Sequence, residues 1–216
     1  VTDNTKTIQL AVIEGGHPFD VPNFNRFFWS MEGVETYQQS FDNWCQDWGQ
    51  CRNSYDAILF YNMTMELPEE AEHPFNAAVN SLGETGMGVF VLHHSILSFP
   101  KNETWRALTG LEDSAFDYHI GEDVTIDAAK DGHPITEGLG SWEMHDETYT
   151  MAGPGAGSET LFTADHPKSM KTVGWTRTHR KARVFCFQPG HDKIAWACPQ
   201  FREVVDRGIR WVARKL

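Results

Sequence analysis

Four places in the chain carry residues able to do acid–base or metal chemistry: His17, His93-His94-Ser95, His145-Asp146-Glu147-Thr148-Tyr149 and His191-Asp192. Two or three imidazoles with a carboxylate suit a borderline divalent ion such as zinc, with a position left open for substrate. On that reading His17, His93, Glu147 and His191 are candidate ligands, and His93, Glu147 and His191 are candidate catalytic groups. Without a metal, a neutral histidine near its ordinary pKa can abstract a proton beside a ketone. The plainer reading of one such histidine is a strand turning polar as it reaches water, and the two readings weigh about equally. For the 142–149 stretch the plainer reading is a charged edge strand; if extended, it sets His145, Glu147 and Tyr149 on one face.

The case strengthens with the elements that must position these groups. Gly88 to Leu92 is a short apolar run suited to a strand buried on both faces, and it stops at His93. Thr7 to Glu14 reads as a first strand and ends in Gly15-Gly16-His17-Pro18-Phe19. Two glycines there allow a sharp turn or close approach to a ligand, but the spacing is not a dinucleotide fingerprint, so no nucleotide cofactor is expected. Arg183 to Gln188 is another two-faced apolar strand and stops at Pro189-Gly190-His191. Between these lie a helical stripe at Phe24, Phe27, Phe28 and Met31, a weak strand at Val34–Ser40, and a strand at Tyr55–Tyr61. A helix opening at Pro68 or Pro74 carries Phe75, Ala78, Val79 and Leu82. Strand and helix alternate, which predicts a parallel sheet with right-handed crossovers. Ligands in such sheets sit beyond the carboxyl ends of the strands, and parallel strands would bring His17, His93/His94 and His191 to one edge.

The rest of the chain is expected to be less regular. Phe41 to Ser54 reads as a Trp-bearing loop whose Trp44 and Trp48 either stack on a sugar or, slightly favoured, pack over the domain. A short helix is expected over Thr104–Leu111, added strands and loops over Phe116–Met151, short strands at Thr160–Thr163 and Lys171–Thr176, and a helix from about Pro199 to Ala213.

The 216 residues, 40% of them hydrophobic, suffice for a single domain over 1–216. A formal charge of −12 repels phosphate backbones, so nucleic acid is not an expected partner. No apolar run reaches membrane-spanning length, and Val1–Thr7 lacks the pattern of an export signal, which points to the cytoplasm. Four cysteines leave the compartment open; Cys45 and Cys51 are close enough in sequence to pair, and Cys186 reads as a buried thiol. Asn62-Met-Thr and Asn102-Glu-Thr fit the glycosylation sequon. Assembly into homo-oligomers is left open.

Gly16-His17-Pro18-Phe19-Asp20, Val91-Leu92-His93-His94-Ser95, His145 to Tyr149, Gly174-Trp175-Thr176-Arg177, Arg183 to Asp192, Trp196 and Gly208-Ile209-Arg210-Trp211 together resemble the ThuA-like (trehalose-utilisation) family, in order and spacing, from about Ile8 to Trp211. The resemblance implies a flavodoxin-like α/β fold, a three-layer sandwich with a mostly parallel central sheet, related to class I glutamine amidotransferases. It also implies a role with trehalose-type disaccharides or keto-sugars. Those amidotransferases carry a cysteine on a strand-to-helix elbow, whereas the elbow after Leu92 holds His93, His94 and Ser95, so a thioester glutaminase is not expected. No G-x-S-x-G frames Ser95 as a nucleophile. The expected ligand is a small carbohydrate. Its candidate contacts are His17, Phe19, His94, Ser95, His145 and Tyr149, and more weakly Trp175, Arg177 and Trp196. Two functions stand open: an enzyme acting on a glycoside or keto-sugar, and a non-catalytic carbohydrate-binding or regulatory module.

Overall fold

The computed structural model describes residues 7–216; the reading of the segment before them as free of an export signal lies outside the described residues. One nine-stranded sheet runs through the molecule: β1 (Ile8–Gly15), β2 (Val34–Ser40), β3 (Ala57–Asn62), β4 (Gly88–Leu92), β5 (Phe116–Ala128), β6 (Ser141–Met151), β7 (Glu159–Ala164), β8 (Thr172–His179) and β9 (Ala182–Phe187). The strand order is β2-β1-β3-β4-β9-β8-β7-β5-β6. The first five in that order pair in parallel, and β8, β7, β5 and β6 extend the sheet antiparallel. β1, β4 and β9 therefore run the same way and deliver their following residues to one edge.

Among the described residues six α-helices cover the sheet: α1 (Val21–Trp29), α2 (Phe41–Gln46), α3 (Pro74–Asn80), α4 (Glu103–Thr109), α5 (Lys193–Ala197) and α6 (Pro199–Val212). Adjacent residues of β3 show how the layers form, because neighbouring side chains in a strand point to opposite faces. Phe60 meets Trp44 of α2 and Trp105 of α4 edge-on, at 5.3 and 5.0 Å between ring centroids. Tyr61 meets Phe24 of α1 and Trp196 of α5 on the other face. α6 lies close against β4 and β9 because Gly208 has no side chain: a Cβ there would stand 2.6 Å from the Phe185 ring. The three-layer, amidotransferase-like fold expected from the sequence is the one observed.

Some boundaries and elements differ from expectation. Phe41–Ser54 is not all loop; Ser40 caps a short helix through the Asn43 N–H, and Trp44 is buried in it. Trp48, by contrast, is 91% exposed. The helix expected at Pro68 or Pro74 begins at Pro74, where the missing N–H costs nothing. Phe116–Met151 holds the expected added strands and loop, the two strands being long and paired with each other. α5 escaped the sequence reading, being one turn long and capped by Asp192. Cys45 is buried in α2 while Cys51 is exposed beyond it, and both are free. Asn62 is fully buried at the end of β3, so the first sequon is closed to glycosylation; Asn102 caps α4. Among the described residues no helix is long and apolar enough to cross a membrane.

Candidate active site

The backbone turns abruptly after β4: His93 has φ +52° and opens a 3-10 turn over His93–Leu97. A non-glycine residue rarely occupies this left-handed region, and such strain gathers at functional sites. The elbow expected after Leu92 is present, and it presents an imidazole.

His93 is wholly buried, and its Nδ1 lies 2.7 Å from the Gln188 carbonyl oxygen. A carbonyl only accepts, so Nδ1 carries the proton and Nε2 presents its lone pair. Three groups face that lone pair: the Tyr149 hydroxyl at 3.0 Å, His191 Nδ1 at 3.3 Å and Glu147 Oε1 at 3.6 Å. Glu147 Oε2 in turn lies 3.5 Å from His191 Nδ1. Burial first, and then the neighbouring imidazoles His94 and His191, push the His93 pKa well below its ordinary value. Burial also raises the Tyr149 phenol well above its own, helped by Glu147, so it stays protonated and donates.

His93, Glu147 and His191 thus offer one atom each, all mutually close, in a group able to hold a metal ion. Tetrahedral zinc with ligands at roughly 2.0–2.2 Å spaces its ligand atoms about 3.3–3.6 Å apart. The two nitrogens are 3.3 Å apart, and Glu147 reaches them with different oxygens, Oε1 at 3.6 Å from His93 Nε2 and Oε2 at 3.5 Å from His191 Nδ1.

The supporting shell is built from both strand ends. Asp146 lies in β6 next to Glu147, with its side chain turned to the opposite face. Its carboxylate accepts from the backbone N–H groups of Gly190 (2.6 Å), His191 (2.9 Å) and Glu147 (2.9 Å). Burial raises this carboxyl to about 7, against the opposing pull of those same donors. The Tyr61 hydroxyl donates to the Gly190 and His191 carbonyls, and Trp196 Nε1 donates to Gly190 O at 2.9 Å. Gln188 Nε2 donates to Glu147 O at 2.9 Å, tying the end of β9 to β6. This shell fixes the orientation of the groups it surrounds.

A second histidine pair flanks the cluster. His17 stacks on His94 at 4.6 Å between centroids and meets His191 edge-on at 5.8 Å. His94 Nε2 donates to the Tyr61 carbonyl at 2.9 Å, leaving a buried Nδ1 with no protein partner; His17 Nδ1 is likewise buried and unpartnered. Burial, reinforced by His17, lowers His94 to about 3, so this imidazole is neutral. His17 and His191 are part-exposed and mark the open flank.

The structure brings together His93, Glu147, His191 and Tyr149, with His17 and His94 beside them. His17 lies outside the group of mutually close ligand atoms, against its expected place as a fourth ligand; its ring stacks on His94. Ser95 is fully buried, with its hydroxyl donated to the Asn62 carbonyl, so it faces no ligand. His145 is drawn outward to Asp123 at 2.8 Å. Phe19 packs edge-on against Phe24 and Tyr61. Trp175 is in the core, where its Nε1 donates to Thr109 O of α4; Arg177 donates to Ser158 on that same α4 side. Trp196 supports the His191 loop from beneath. Asp146, Gln188 and Tyr61 were missed, since their contacts are to backbone atoms distant in sequence.

A family model described as ThuA, trehalose utilisation, matches residues 42–212. Among solved structures, a ThuA-like protein from Parabacteroides merdae superposes with TM-score 0.72 at 21% identity, covering 96% of this chain and 90% of that one. A ThuA-like protein from Bacteroides uniformis gives 0.73 at 12% identity, covering 96% and 92%. A glutamine amidotransferase from Thermotoga maritima gives 0.56 at 9% identity, covering 96% and 98%, a likeness of fold. No curated protein sequence matches the chain.

Proposed function

The chain belongs to the ThuA, trehalose-utilisation, family, and from that premise we propose that it is an enzyme acting on a glycoside or keto-sugar at a divalent-metal site formed by His93, Glu147 and His191. The observation that carries this reading is the His93 Nε2 to His191 Nδ1 separation of 3.3 Å, with one Glu147 oxygen near each nitrogen, at 3.6 and 3.5 Å. Two imidazole nitrogens that close, with the buried His93 Nε2 lone pair facing His191, repel unless a proton or a cation lies between them. The residues fit a zinc-like ion: two nitrogen donors and one carboxylate, with the His93 tautomer fixed from outside by Gln188.

A bound ion supplies Lewis acidity toward a sugar carbonyl or a water. The protein's own groups do the remaining work. Tyr149 keeps its proton and holds it next to Glu147 and His93, where it can be lent to an oxygen that gains charge. His94 stays neutral beneath the stacked His17, which lies on the open flank. The buried floor of Tyr61, Trp196 and Leu92 excludes water from beneath. These roles suit isomerisation, elimination or hydrolysis next to a carbonyl.

Turnover of 3-keto-disaccharides by the metal-loaded protein, with and without chelator, tests the proposal. Chelator-sensitive turnover supports it. Sugar binding without turnover in any metal state supports instead a non-catalytic carbohydrate-binding module.

A further inference from the structure

β5 is 13 residues long, yet on the side away from β6 only Ile126–Ala128 are paired, with β7. Along Phe116–Thr125 its backbone bonds to β6, and among the described residues to no other backbone. An open strand edge is a template for another strand, and proteins blunt such edges with lysine, proline or a bulge. Phe116–Ile120 holds neither lysine nor proline. Its register with β6 is regular through His119 and breaks before Glu122, at Gly121 with φ +75°.

The same stretch presents large apolar side chains to water. Tyr118 is 62% exposed and Ile120 65%, with Phe116 half-buried beside them. Residues two apart in a strand share a face, so these three form one strip. Tyr118 lies directly across from Tyr149 of β6. The reverse face carries Asp117, which is exposed, and His119, whose Nε2 lies 3.0 Å from Thr150 Oγ1.

This stretch is its own complement. Laid antiparallel on a second copy with Tyr118 opposite Tyr118, it sets Phe116 against Ile120 and Asp117 against His119, each pair twice. Apolar and opposite-charge pairs directly across two strands stabilise them, and like charges destabilise them. A slip of two residues either way opposes Asp117 to Asp117 or His119 to His119. The two-fold register about Tyr118 is therefore the one this sequence favours.

We propose that two copies of this chain join through β5, antiparallel about a two-fold axis at Tyr118, and bury Tyr118 and Ile120 of each. The second copy then holds the outer side of the β5–β6 ribbon that carries Glu147 and Tyr149.

Sedimentation equilibrium of the full chain at physiological salt, where the −12 charge of each copy is screened beyond about 8 Å, tests the proposal. Wild type is expected to form a dimer at about 10–100 μM. His119→Asp opposes carboxylates at both symmetry-related positions and is expected to weaken the dimer at least about tenfold. Asp117→His combined with His119→Asp restores the opposed pairs in reversed order and is expected to return the affinity to within about threefold of wild type. Circular dichroism confirms the folding of each variant. A monomeric or trimeric wild type overturns the proposal, the monomer leaving the edge to a strand of a different protein. A dimer that His119→Asp leaves intact, or one that it weakens and the double substitution does not restore, overturns it as well. Ile120→Asp, at a position open to water in the single chain, gives an independent reading: an undiminished dimer in that variant also overturns the proposal.

Discussion

The Gln188 carbonyl oxygen lies 2.7 Å from His93 Nδ1, and this contact decides which nitrogen of the central imidazole is free. Because β9 pairs in parallel with β4, the residue after Phe187 is delivered beside the residue after Leu92. The contact follows from sheet register and is rigid for that reason. His93→Gln puts an amide where the imidazole was. It is expected to lower metal affinity by at least about 10-fold, since one of three ligands is lost. Equilibrium dialysis against zinc, with circular dichroism as a check on folding, reads this.

Asp146 is expected to act on His191 without touching substrate. Asp146→Asn exchanges an oxygen that accepts from Gly190 N–H or His191 N–H for an amide that donates, setting donor against donor. A stability loss of roughly 1–3 kcal/mol is expected, with metal affinity down about 10- to 100-fold, the usual scale for outer-shell partners. Urea unfolding and metal titration together check it; unchanged metal affinity would show that the loop holds His191 without the carboxylate.

Tyr149→Phe separates chemistry from metal binding. It removes the hydroxyl 3.0 Å from His93 Nε2 and leaves the ligand triangle whole. Metal content is expected to be unchanged, while kcat falls on the order of 10²-fold or more, as for loss of a general acid. Steady-state kinetics on a 3-keto-disaccharide reads the fall.

His94 gives a pH signature. Its folded pKa of about 3 lies below the ordinary 6.5. Between those values the unfolded chain binds a proton that the folded chain does not, so stability falls as pH drops from about 6.5 toward about 3. Asp146 works oppositely: its folded pKa of about 7 exceeds the ordinary 3.8, so it adds stability as pH falls through that window. The difference between wild type and His94→Gln isolates the first effect. The variant's stability is expected to decline less on acidification, measured by urea unfolding at pH 7 and pH 4.5.

Arg177→Ala serves as a control. Its guanidinium meets Ser158 and packs over Gly110, on the α4 side of the sheet. Turnover is expected to hold within about twofold, with any loss confined to thermal stability.

How legible all this was in the sequence follows from which contacts are local. The strand ends at His17, His93 and His191 were readable because buried runs stop visibly and parallel strands share an edge. Glu147 and Tyr149 were readable from period-two spacing. That same spacing places His145 on the candidate face, but spacing cannot show that Asp123 of β5 pairs with it. Trp175 and Arg177 stood out by residue type, yet β8 runs antiparallel to β9 and sets them back from the active edge. Gln188 and Asp146 act through backbone atoms supplied by register, which no pattern of side chains records. α2 stayed hidden because six residues are too few to show helical periodicity.

The most direct measurement is metal content of protein purified without chelator, by elemental mass spectrometry, on wild type, His93→Ala, Glu147→Gln and Tyr149→Phe. The account predicts about one divalent ion per chain in wild type and Tyr149→Phe, and a large loss in the other two. No metal in wild type after incubation with zinc, or equal metal in all four proteins, would contradict it.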